Sequence, residues 1–369
     1  MKYFLWIIRI IVAVLFIFSG LVKANDPLGL SYKMDEFFEV WGMHWMMPYS
    51  LVMSIAMIAF EIIAGVALLL GYAYRLFSYL LLALVVFFTF LTAYVLFSGK
   101  IKECGCFGDC IPLTPIQTFT KDIILLIMGI ILVVYRNQIK PLVKGHAATA
   151  IMILTVFFSV GSQLWALEHL PYHDCLPYRV GVNVIEDRKM PEGAIPDQYE
   201  NIMIYEKDGV QKEFTMENYP WEDTTWKFVD RIDKLVKKGN AEPKIRDFII
   251  VDYDGNEYTD AILNTPGYSF LWYVRDTKKA STDNMDRLKA LIKAAQEAGV
   301  PFYILFSDNK NDAYAFMDEH GLNGEILVLD RTVSKTAMRS NPGLMLLEQG
   351  VIKGKWSYRD YPDASVIRK

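Results

Sequence analysis

Apolar residues are concentrated in the first half of the chain, where they form long, almost uninterrupted runs. Five runs, at 3–22, 49–70, 76–97, 116–135 and 148–167, have the roughly 20 apolar residues that a helix needs to cross a bilayer. Because backbone polar groups in lipid must be satisfied internally, each run predicts a transmembrane helix. The length of the first run favours a retained span over a cleaved signal peptide.

Beyond residue 169 the apolar stretches are short and alternate with charged segments, which predicts a water-exposed α/β domain. A hairpin is predicted at 202–205 and 212–215, around Asp208-Gly209, and an amphipathic helix at 224–238. The later part alternates strands with two helices, at 248–253, 268–274, 285–298 (helix), 302–306, 312–320 (helix), 326–329, 344–347 and 351–356.

These patterns divide the chain into four regions. Residues 1–145 predict a four-helix membrane domain, 146–169 a fifth transmembrane helix, 170–242 a linker or subdomain, and 243–369 an α/β domain. The fold class is therefore a multi-domain membrane protein, with an α-helical transmembrane bundle of a four-helix core plus a fifth span. Net charge is −4, and the absence of a basic patch with interleaved aromatic residues argues against a nucleic-acid partner.

The distribution of basic residues predicts the orientation in the membrane. Arg136, Lys140 and Lys144 lie between the fourth and fifth runs and Arg75 lies between the second and third, whereas the long first loop carries an excess of acidic residues. The positive-inside rule then places the N-terminus in the cytoplasm and the α/β domain outside it. We therefore expect a multi-pass protein of a bacterial inner membrane.

Three of the four cysteines lie close together in the sequence CGCFGDC at 104–110. The predicted topology puts this segment on the non-cytoplasmic side, where thiols are oxidised. Cys104, Cys106 and Cys110 are therefore redox candidates. A bond between the first two would close a small strained ring, and a bond from either to Cys110 a larger one. Cys175, just after the fifth run, is either a resolving thiol or a lone thiol in the linker.

The start of the fourth span bears on this chemistry. Thr114, Pro115 and Gln117 form the pattern of an N-cap, a proline at the first helical position and a capping-box glutamine. The positive end of this helix then points toward the cysteine segment, and Lys121 adds a further positive charge. Both features favour a thiolate.

Two other uses of the cysteines stay open. They could form a permanent disulfide in an envelope scaffold, or they could bind copper or zinc together with His44, His169 or His173. The spacing is not that of a zinc knuckle, and we predict no metal site. Haem-attachment, dinucleotide and phosphate-loop motifs are also absent from the sequence.

The charged residues Arg9 and Glu61 lie deep inside predicted spans. Arg9 lies in the first run and Glu61 in the second, at depths from which an arginine side chain could bridge between them. We consider two interpretations, a structural ion pair that locks the two helices and a contact to a proton or a cofactor headgroup.

The N-terminal region resembles a known family of membrane proteins. The stretches FIFSGLVK at 16–23, DPLG at 26–29 and EIIAGVALLLG at 61–71 are similar to DoxX-like proteins, and CGCFG at 104–108 resembles their MauE branch, which is linked to methylamine utilisation. The resemblance implies a four-helix core and support of disulfide formation in an exported protein. By analogy with quinone-coupled thiol oxidases, electrons would pass to a quinone in that core.

The order of elements after residue 243 resembles a membrane-tethered thioredoxin-like domain. Pro342 corresponds to the cis-proline that precedes a strand in that fold, and we expect it to mark a partner-binding edge. The place of the redox Cys-x-x-Cys, at 275–281, reads RDTKKAS and has no cysteine. We therefore expect the outer domain to present an extracytoplasmic thiol protein to the membrane cysteines. The sequence leaves the oligomeric state open.

Overall fold

The computed structural model describes residues 2–101, 105, 107–195, 198–207, 210–215, 223, 225–237, 239 and 243–368 of the 369-residue chain. The N-terminal half contains six long helices: α1 Lys2–Ala24, α2 Pro27–Val40, α3 Ser50–Leu70, α4 Tyr74–Ser98, α5 Pro115–Val134 and α6 His146–Glu168. Among the described residues, five helical segments are long and apolar enough to cross a membrane, and they contain α1, α3, α4, α5 and α6. The five predicted spans are confirmed.

Four of the spanning helices form the core of the bundle. Side chains of α1, α3, α4 and α5 meet in one apolar cluster, which includes Val12, Leu68 and Leu81. The described residues of this cluster include none from α6, which packs against α3 instead. There the Gln163 side chain donates a 3.3 Å hydrogen bond to the carbonyl of Ile55. The predicted four-helix core with an additional fifth span is therefore present.

Because successive spans alternate in direction, the bundle has two ends. One end carries the end of α1, the end of α4 and the start of α5. We call it the cysteine end, because the segment between α4 and α5 contains the CGCFGDC sequence. The opposite end, which we call the far end, carries the end of α3 and the start of α4.

Helix α2 lies in the connection that was predicted to be a loop, and that prediction was wrong. The Asp26 side chain caps it by accepting a 3.1 Å hydrogen bond from the Gly29 amide, and Pro27 takes the first helical position. Its Phe37 packs with Leu91 and Val95 of α4. The helix therefore covers the cysteine end of the bundle.

The α/β domain is built on a six-stranded sheet. Its strands are β4 Ile250–Val251, β5 Tyr268–Val274, β6 Phe302–Phe306, β7 Glu325–Leu329, β8 Gly343–Glu348 and β9 Val351–Ser357. They lie in the order β4-β7-β6-β5-β8-β9. Strands β5, β6 and β7 run parallel, and β8 and β9 continue the sheet in antiparallel fashion. Together with a cis peptide at Asn341–Pro342, this is the predicted thioredoxin-like arrangement.

Helices cover both faces of this sheet, so β5 is an almost continuous apolar run. Phe270 and Trp272 point into one core, and Leu271 and Tyr273 into the other. The covering helices are α8 Thr259–Leu263, α9 Met285–Glu297, α10 Lys310–Glu319 and α11 Arg331–Ala337. The predicted helices at 285–298 and 312–320 correspond to α9 and α10, whereas α11 was not predicted. Val184, in the short helix α7 Val184–Asp187, joins one of these cores from the preceding segment.

A separate three-stranded antiparallel sheet lies between α7 and β4 in the chain. It consists of β1 Gln198–Lys207, β2 Val210–Thr215 and β3 Lys227–Lys237, in the order β2-β1-β3. The predicted hairpin corresponds to β1 and β2. The predicted helix at 224–238 was wrong, because the backbone of β3 bonds along the length of β1 instead. A register shift places Phe228 opposite Tyr205 within this pairing, and their rings contact edge to face.

Candidate functional site at the cysteine end of the bundle

The structure joins Cys110 to Cys175 in a disulfide, with a Cα–Cα distance of 4.8 Å. Cys110 closes a short 3₁₀ turn, Gly108–Cys110, ahead of α5, and Cys175 lies beyond α6. Both side chains are half-buried. Cys175 therefore has a partner in the chain and is not a lone thiol. Cys104 and Cys106 lie outside the described residues, and the redox roles of all four cysteines stay predictions.

The described part of the cysteine segment is held against α1 and α5. The Phe107 ring contacts Phe18 at 6.1 Å between centroids, and the Lys121 ammonium lies 5.1 Å from the centre of the same ring. Gly105 has a φ of +72°, a conformation that favours glycine, and its carbonyl accepts a 3.0 Å hydrogen bond from the amide of Gly108. A Cβ at Gly105 would lie only 3.1 Å from the Lys33 side chain.

The predicted start of α5 is confirmed. Thr114 and Gln117 form a reciprocal capping box, and Pro115 is the first helical residue. The helix therefore begins immediately beyond the disulfide-bonded segment. Whether its positive end favours a thiolate stays a prediction.

A buried arginine of the α/β domain holds this segment. The Arg339 guanidinium donates to Asp26 at 2.7 Å and to Asp109 at 2.8 Å, and its side chain is only 7% exposed. Burial alone would lower the pKa of Arg339, but the two carboxylates raise it above its ordinary value. Asp109 directly precedes Cys110, so this contact fixes one side of the disulfide to the outer domain.

A second ion pair fixes the other side of the disulfide. The Lys355 ammonium lies 2.6 Å from a carboxylate oxygen of Asp174, which directly precedes Cys175. Burial lowers the pKa of Lys355, and Asp174 partly offsets this effect. Each cysteine of the bond thus follows an aspartate that is paired with a basic residue of the α/β domain.

The thioredoxin-like face of the α/β domain is turned toward α2. Asn341 accepts hydrogen bonds from the amides of Arg275 and Asp276, at 2.9 and 3.3 Å, and so links the cis-proline loop to the segment after β5. Pro342 itself is buried, and β8 has a neighbour on each side. A role for Pro342 in partner binding stays a prediction, and the residues before it contact the membrane domain.

Three cations of this face surround one ring of α2. Arg275, Lys335 and Arg339 lie 5.7, 4.6 and 5.3 Å from the centre of the Tyr32 ring. Burial raises the pKa of Tyr32 and lowers that of Lys335. The Tyr32 hydroxyl and one carboxylate oxygen of Asp35 are buried without a hydrogen-bond partner in the described part of the chain.

A cleft of about 560 Å³ separates α2 from α11 at this point. Its walls include Tyr32 and Lys33 of the membrane domain, Lys335 of the α/β domain, and Cys175 of the disulfide. Cys175, which is half-buried, therefore lines a space that is large enough to admit a polypeptide segment.

Arg9 and Glu61 do not form the predicted ion pair. Arg9 donates to the carbonyls of Leu68, Leu69 and Lys140 at 2.7, 2.8 and 3.0 Å, and so bonds to the last turn of α3 and to the segment after α5. Glu61 lies two turns closer to the cysteine end, about 10 Å along the helix axis from Leu68. Its role in binding a cofactor stays untested, as does that of Arg9.

Glu61 instead belongs to a buried polar cluster near the cysteine end. The Lys23 ammonium lies 2.6 Å from its carboxylate, and the Ser19 hydroxyl donates to it at 3.1 Å. Lys121 and Asp122 form a second pair at 2.6 Å, on the other side of a cavity of about 30 Å³. Lys23 and Asp122 were not predicted as site residues. A signal was available for Asp122, which is an acidic residue inside a predicted span.

The described residues contain no group of three or more histidine, cysteine or acidic side chains arranged to hold a metal ion. Of the histidines considered as ligands, His169 faces the carboxylate of Asp360 at 2.9 Å and stacks on Trp165. The backbone amide of His173 donates to Asn25. Both residues therefore help to join the α/β domain or its linker to the bundle.

Comparisons with known proteins follow the same division of the chain. Residues 1–135 match the family described as Methylamine utilisation protein MauE, and residues 199–238 match one described as Domain of unknown function (DUF8463). The curated Protein TlpB of Flavobacterium psychrophilum is 29% identical over 158 residues, which cover 42% of this chain. The match spans 43% of that protein, so less than half of its length is represented. The predicted likeness to MauE is confirmed.

Two solved structures also match the chain. One is the thioredoxin domain of a thiol-disulfide oxidoreductase from Bacteroides vulgatus, with 15% identity, a TM-score of 0.24, and coverage of 29% of this chain and 81% of that one. The other is a thiol peroxidase from Chromobacterium violaceum, with 15% identity, a TM-score of 0.26, and coverage of 34% and 81%. The chain therefore has an N-terminal region of apolar helices that is similar to MauE and a C-terminal α/β domain whose strand order is the thioredoxin-like one described above.

Proposed function

We propose that this protein exchanges thiols and disulfides with exported proteins at the outer surface of a bacterial inner membrane. We also propose that the N-terminus and the basic far end of the bundle lie in the cytoplasm, and that the α/β domain lies outside it. The observation that carries the proposal is the Cys110–Cys175 bond, because Cys175 lines the cleft between the two domains. A disulfide in that position can be reached by a thiol of a bound polypeptide.

The exchange has two balanced steps. A partner thiolate attacks the sulfur of Cys175, which breaks the Cys110–Cys175 bond, forms a mixed disulfide and releases the Cys110 thiolate. A second partner thiolate then attacks the partner sulfur of the mixed disulfide and releases Cys175. The partner gains a disulfide, and this protein gains two thiols.

Reoxidation would use the other two cysteines. A disulfide between Cys104 and Cys106, in the same segment as Cys110, would exchange with the two thiols, which restores the Cys110–Cys175 bond and leaves Cys104 and Cys106 as thiols. These two thiols would close their own disulfide again by giving two electrons and two protons to a quinone. The α/β domain has no cysteine in its sequence and would contribute by positioning the partner. The wider DoxX-like relationship would place this chemistry in a family of redox-associated membrane proteins.

A permanent disulfide in an envelope scaffold is the second candidate. The two ion pairs beside the bond favour it, because Asp109–Arg339 and Asp174–Lys355 tie the segments on both sides of the disulfide to the α/β domain. A bond that served only to fix this junction would never open.

Single-turnover exchange separates the two candidates. The full-length protein in lipid nanodiscs is mixed with a reduced synthetic peptide that contains two cysteines, and thiols are then trapped by alkylation. We expect one peptide disulfide per protein and alkylation of Cys110 and Cys175. When the same peptide is supplied in its oxidised form to the variant Cys110→Ser, the free Cys175 thiolate should attack the peptide disulfide and form a mixed disulfide, which no Cys110 thiol is present to resolve. A bond that stays closed under these conditions would support the scaffold and overturn the exchange.

A further inference from the structure

A second cavity at the cysteine end has a different character from the cleft. It encloses about 70 Å³ between α2, α3 and α4, and its lining is almost entirely carbon. Aromatic side chains from two helices face it, including Phe37, Trp41 and Phe88, and Met57 closes a third side. We call this cavity the aromatic pocket. Its methionine and aromatic walls suit a flat apolar ring, because methionine side chains readjust easily to an occupant.

The aromatic pocket lies directly against the cysteine segment. Gly105, which stands between Cys104 and Cys106 in the chain, forms part of its wall. The left-handed conformation of Gly105 and the close approach of Lys33 fix the backbone at this point. A molecule in the pocket therefore contacts the backbone between Cys104 and Cys106, the two cysteines that would pass electrons to a quinone in the proposed function.

The pocket also contains one buried cation. Lys23 is 3% exposed, and its ammonium lies 2.6 Å from Glu61 and 4.9 Å from the centre of the Phe88 ring. An ammonium has three N–H donors, so Lys23 can bond to Glu61 and also donate to a carbonyl oxygen in the pocket. A carbonyl-bearing ring would thus meet a donor that is already held in place by a carboxylate.

The route into the pocket restricts the class of occupant. Phe87, on the membrane-spanning helix α4, lines the pocket and is 41% exposed, so one wall of the pocket reaches the outer surface of a spanning helix. In a bilayer that surface meets hydrocarbon, which favours an occupant that is soluble in lipid.

We infer that the aromatic pocket binds the ring of a membrane quinone, with one ring carbonyl accepting a hydrogen bond from Lys23. The redox part of this inference rests on the proposed function, whereas the binding part does not. When two thiols of the segment close a disulfide, they lose two electrons and two protons. A quinone that accepts both becomes a quinol, so the step is balanced without another reactant.

Tryptophan fluorescence tests the binding directly, because Trp41 lies in the pocket wall. The full-length protein with all four cysteines replaced by serine is placed in lipid nanodiscs and titrated with decylubiquinone or menadione. We expect saturable quenching, which Trp41→Phe removes. Met57→Phe, which fills the pocket, should raise the Kd at least about tenfold, a loss of roughly 1.4 kcal/mol. Met128→Phe is the matched control, because Met128 is also half-buried in a span but lies outside the pocket.

The outcomes distinguish this inference from the proposed function. Quinone binding in the aromatic pocket is contradicted if quenching rises linearly with quinone concentration, or if Met57→Phe leaves the Kd unchanged. This holds even if peptide exchange at Cys175 is observed. Saturable quenching with a Trp41 and Met57 dependence supports the pocket even if the disulfide never opens, since the titrated protein has no cysteine.

Discussion

The cysteine segment of the bundle and the segment after β5 in the α/β domain meet around Arg339 and Asn341, yet they differ in chemistry. The α/β segment has the position of a redox site in the thioredoxin-like fold, but it contains Arg275 and Asp276 in place of thiols. The bundle segment carries three of the four cysteines. The α/β domain has no cysteine in its sequence, whereas the membrane domain carries this cysteine cluster. In the proposed function the α/β domain therefore acts through its contacts.

The largest expected effect comes from the sulfur atoms themselves. Because Cys110 and Cys175 are bonded to each other, Cys110→Ser and Cys175→Ser should each abolish peptide oxidation, and to the same extent. The exposed Lys278, in the segment after β5, provides the comparison in the other region. Lys278→Ala should change the rate by less than about twofold, since exposed charges contribute little. A larger loss at Lys278 than at either cysteine would reverse the division of roles.

The next effect concerns the contact between the regions. Arg339→Leu leaves Asp26 and Asp109 without their buried partner, which we expect to weaken domain docking by about 3–5 kcal/mol. Hydrogen exchange of the amides in α2 and α11 measures this loss. Arg331→Leu is the matched control, because its pairs with Asp276 and Asp308 leave it 46% exposed, and it should cost under about 1 kcal/mol. Similar exchange in both variants would mean that Arg339 does not hold the domains together.

A comparable test applies within the bundle. Lys23→Met leaves Glu61 as an unpaired buried charge and should destabilise the protein by about 3–5 kcal/mol. The double variant Lys23→Met with Glu61→Leu removes both charges and should recover most of this loss. Thermal unfolding in detergent, followed by circular dichroism, compares them. Additive losses in the double variant would contradict a direct pair.

The smallest expected effect lies at the start of α5. Thr114→Ala removes the N-cap bond to the Gln117 amide and should cost about 1 kcal/mol in the same unfolding measurement. Thr120→Ala serves as the control, because Thr120 is on the same helix and bonds only to the carbonyl of Ile116. If both variants unfold alike, the capping box does not contribute to stability.

Local sequence patterns were enough to predict most elements. The five apolar runs, the capping box at Thr114 and the strands at 268–274 and 302–306 each follow from composition or periodicity over a few residues. Helix α2 was not predicted, because it is too short to be recognised as a membrane span. Asp26 and Pro27, which fit an N-cap and a first helical position, were nevertheless a local signal for it. The helix predicted at 224–238 was wrong because its apolar residues have a helix-like spacing, whereas the pairing of β3 with β1 decides the structure.

The site depended on contacts between distant parts of the chain, which the sequence could not supply. The Cys110–Cys175 bond joins residues 65 positions apart, and Arg339 reaches Asp26 over 313 positions. Likewise, the axial offset between α1 and α3 decided that Glu61 pairs with Lys23 and that Arg9 caps carbonyls. Which buried charged side chains pair depends on how the helices are placed against one another. A small axial shift of one helix gives a charged side chain a different partner.

Isotope-coded alkylation of Cys110 and Cys175 in native membranes tests the central claim most directly. The fraction of each thiol that is reduced is measured by mass spectrometry before and after the membranes receive the reduced two-cysteine peptide. Reversible exchange predicts that both thiols become reduced together and return to the disulfide when the peptide is removed and an oxidised quinone is added. If the two sulfurs remain bonded throughout, the exchange function is contradicted.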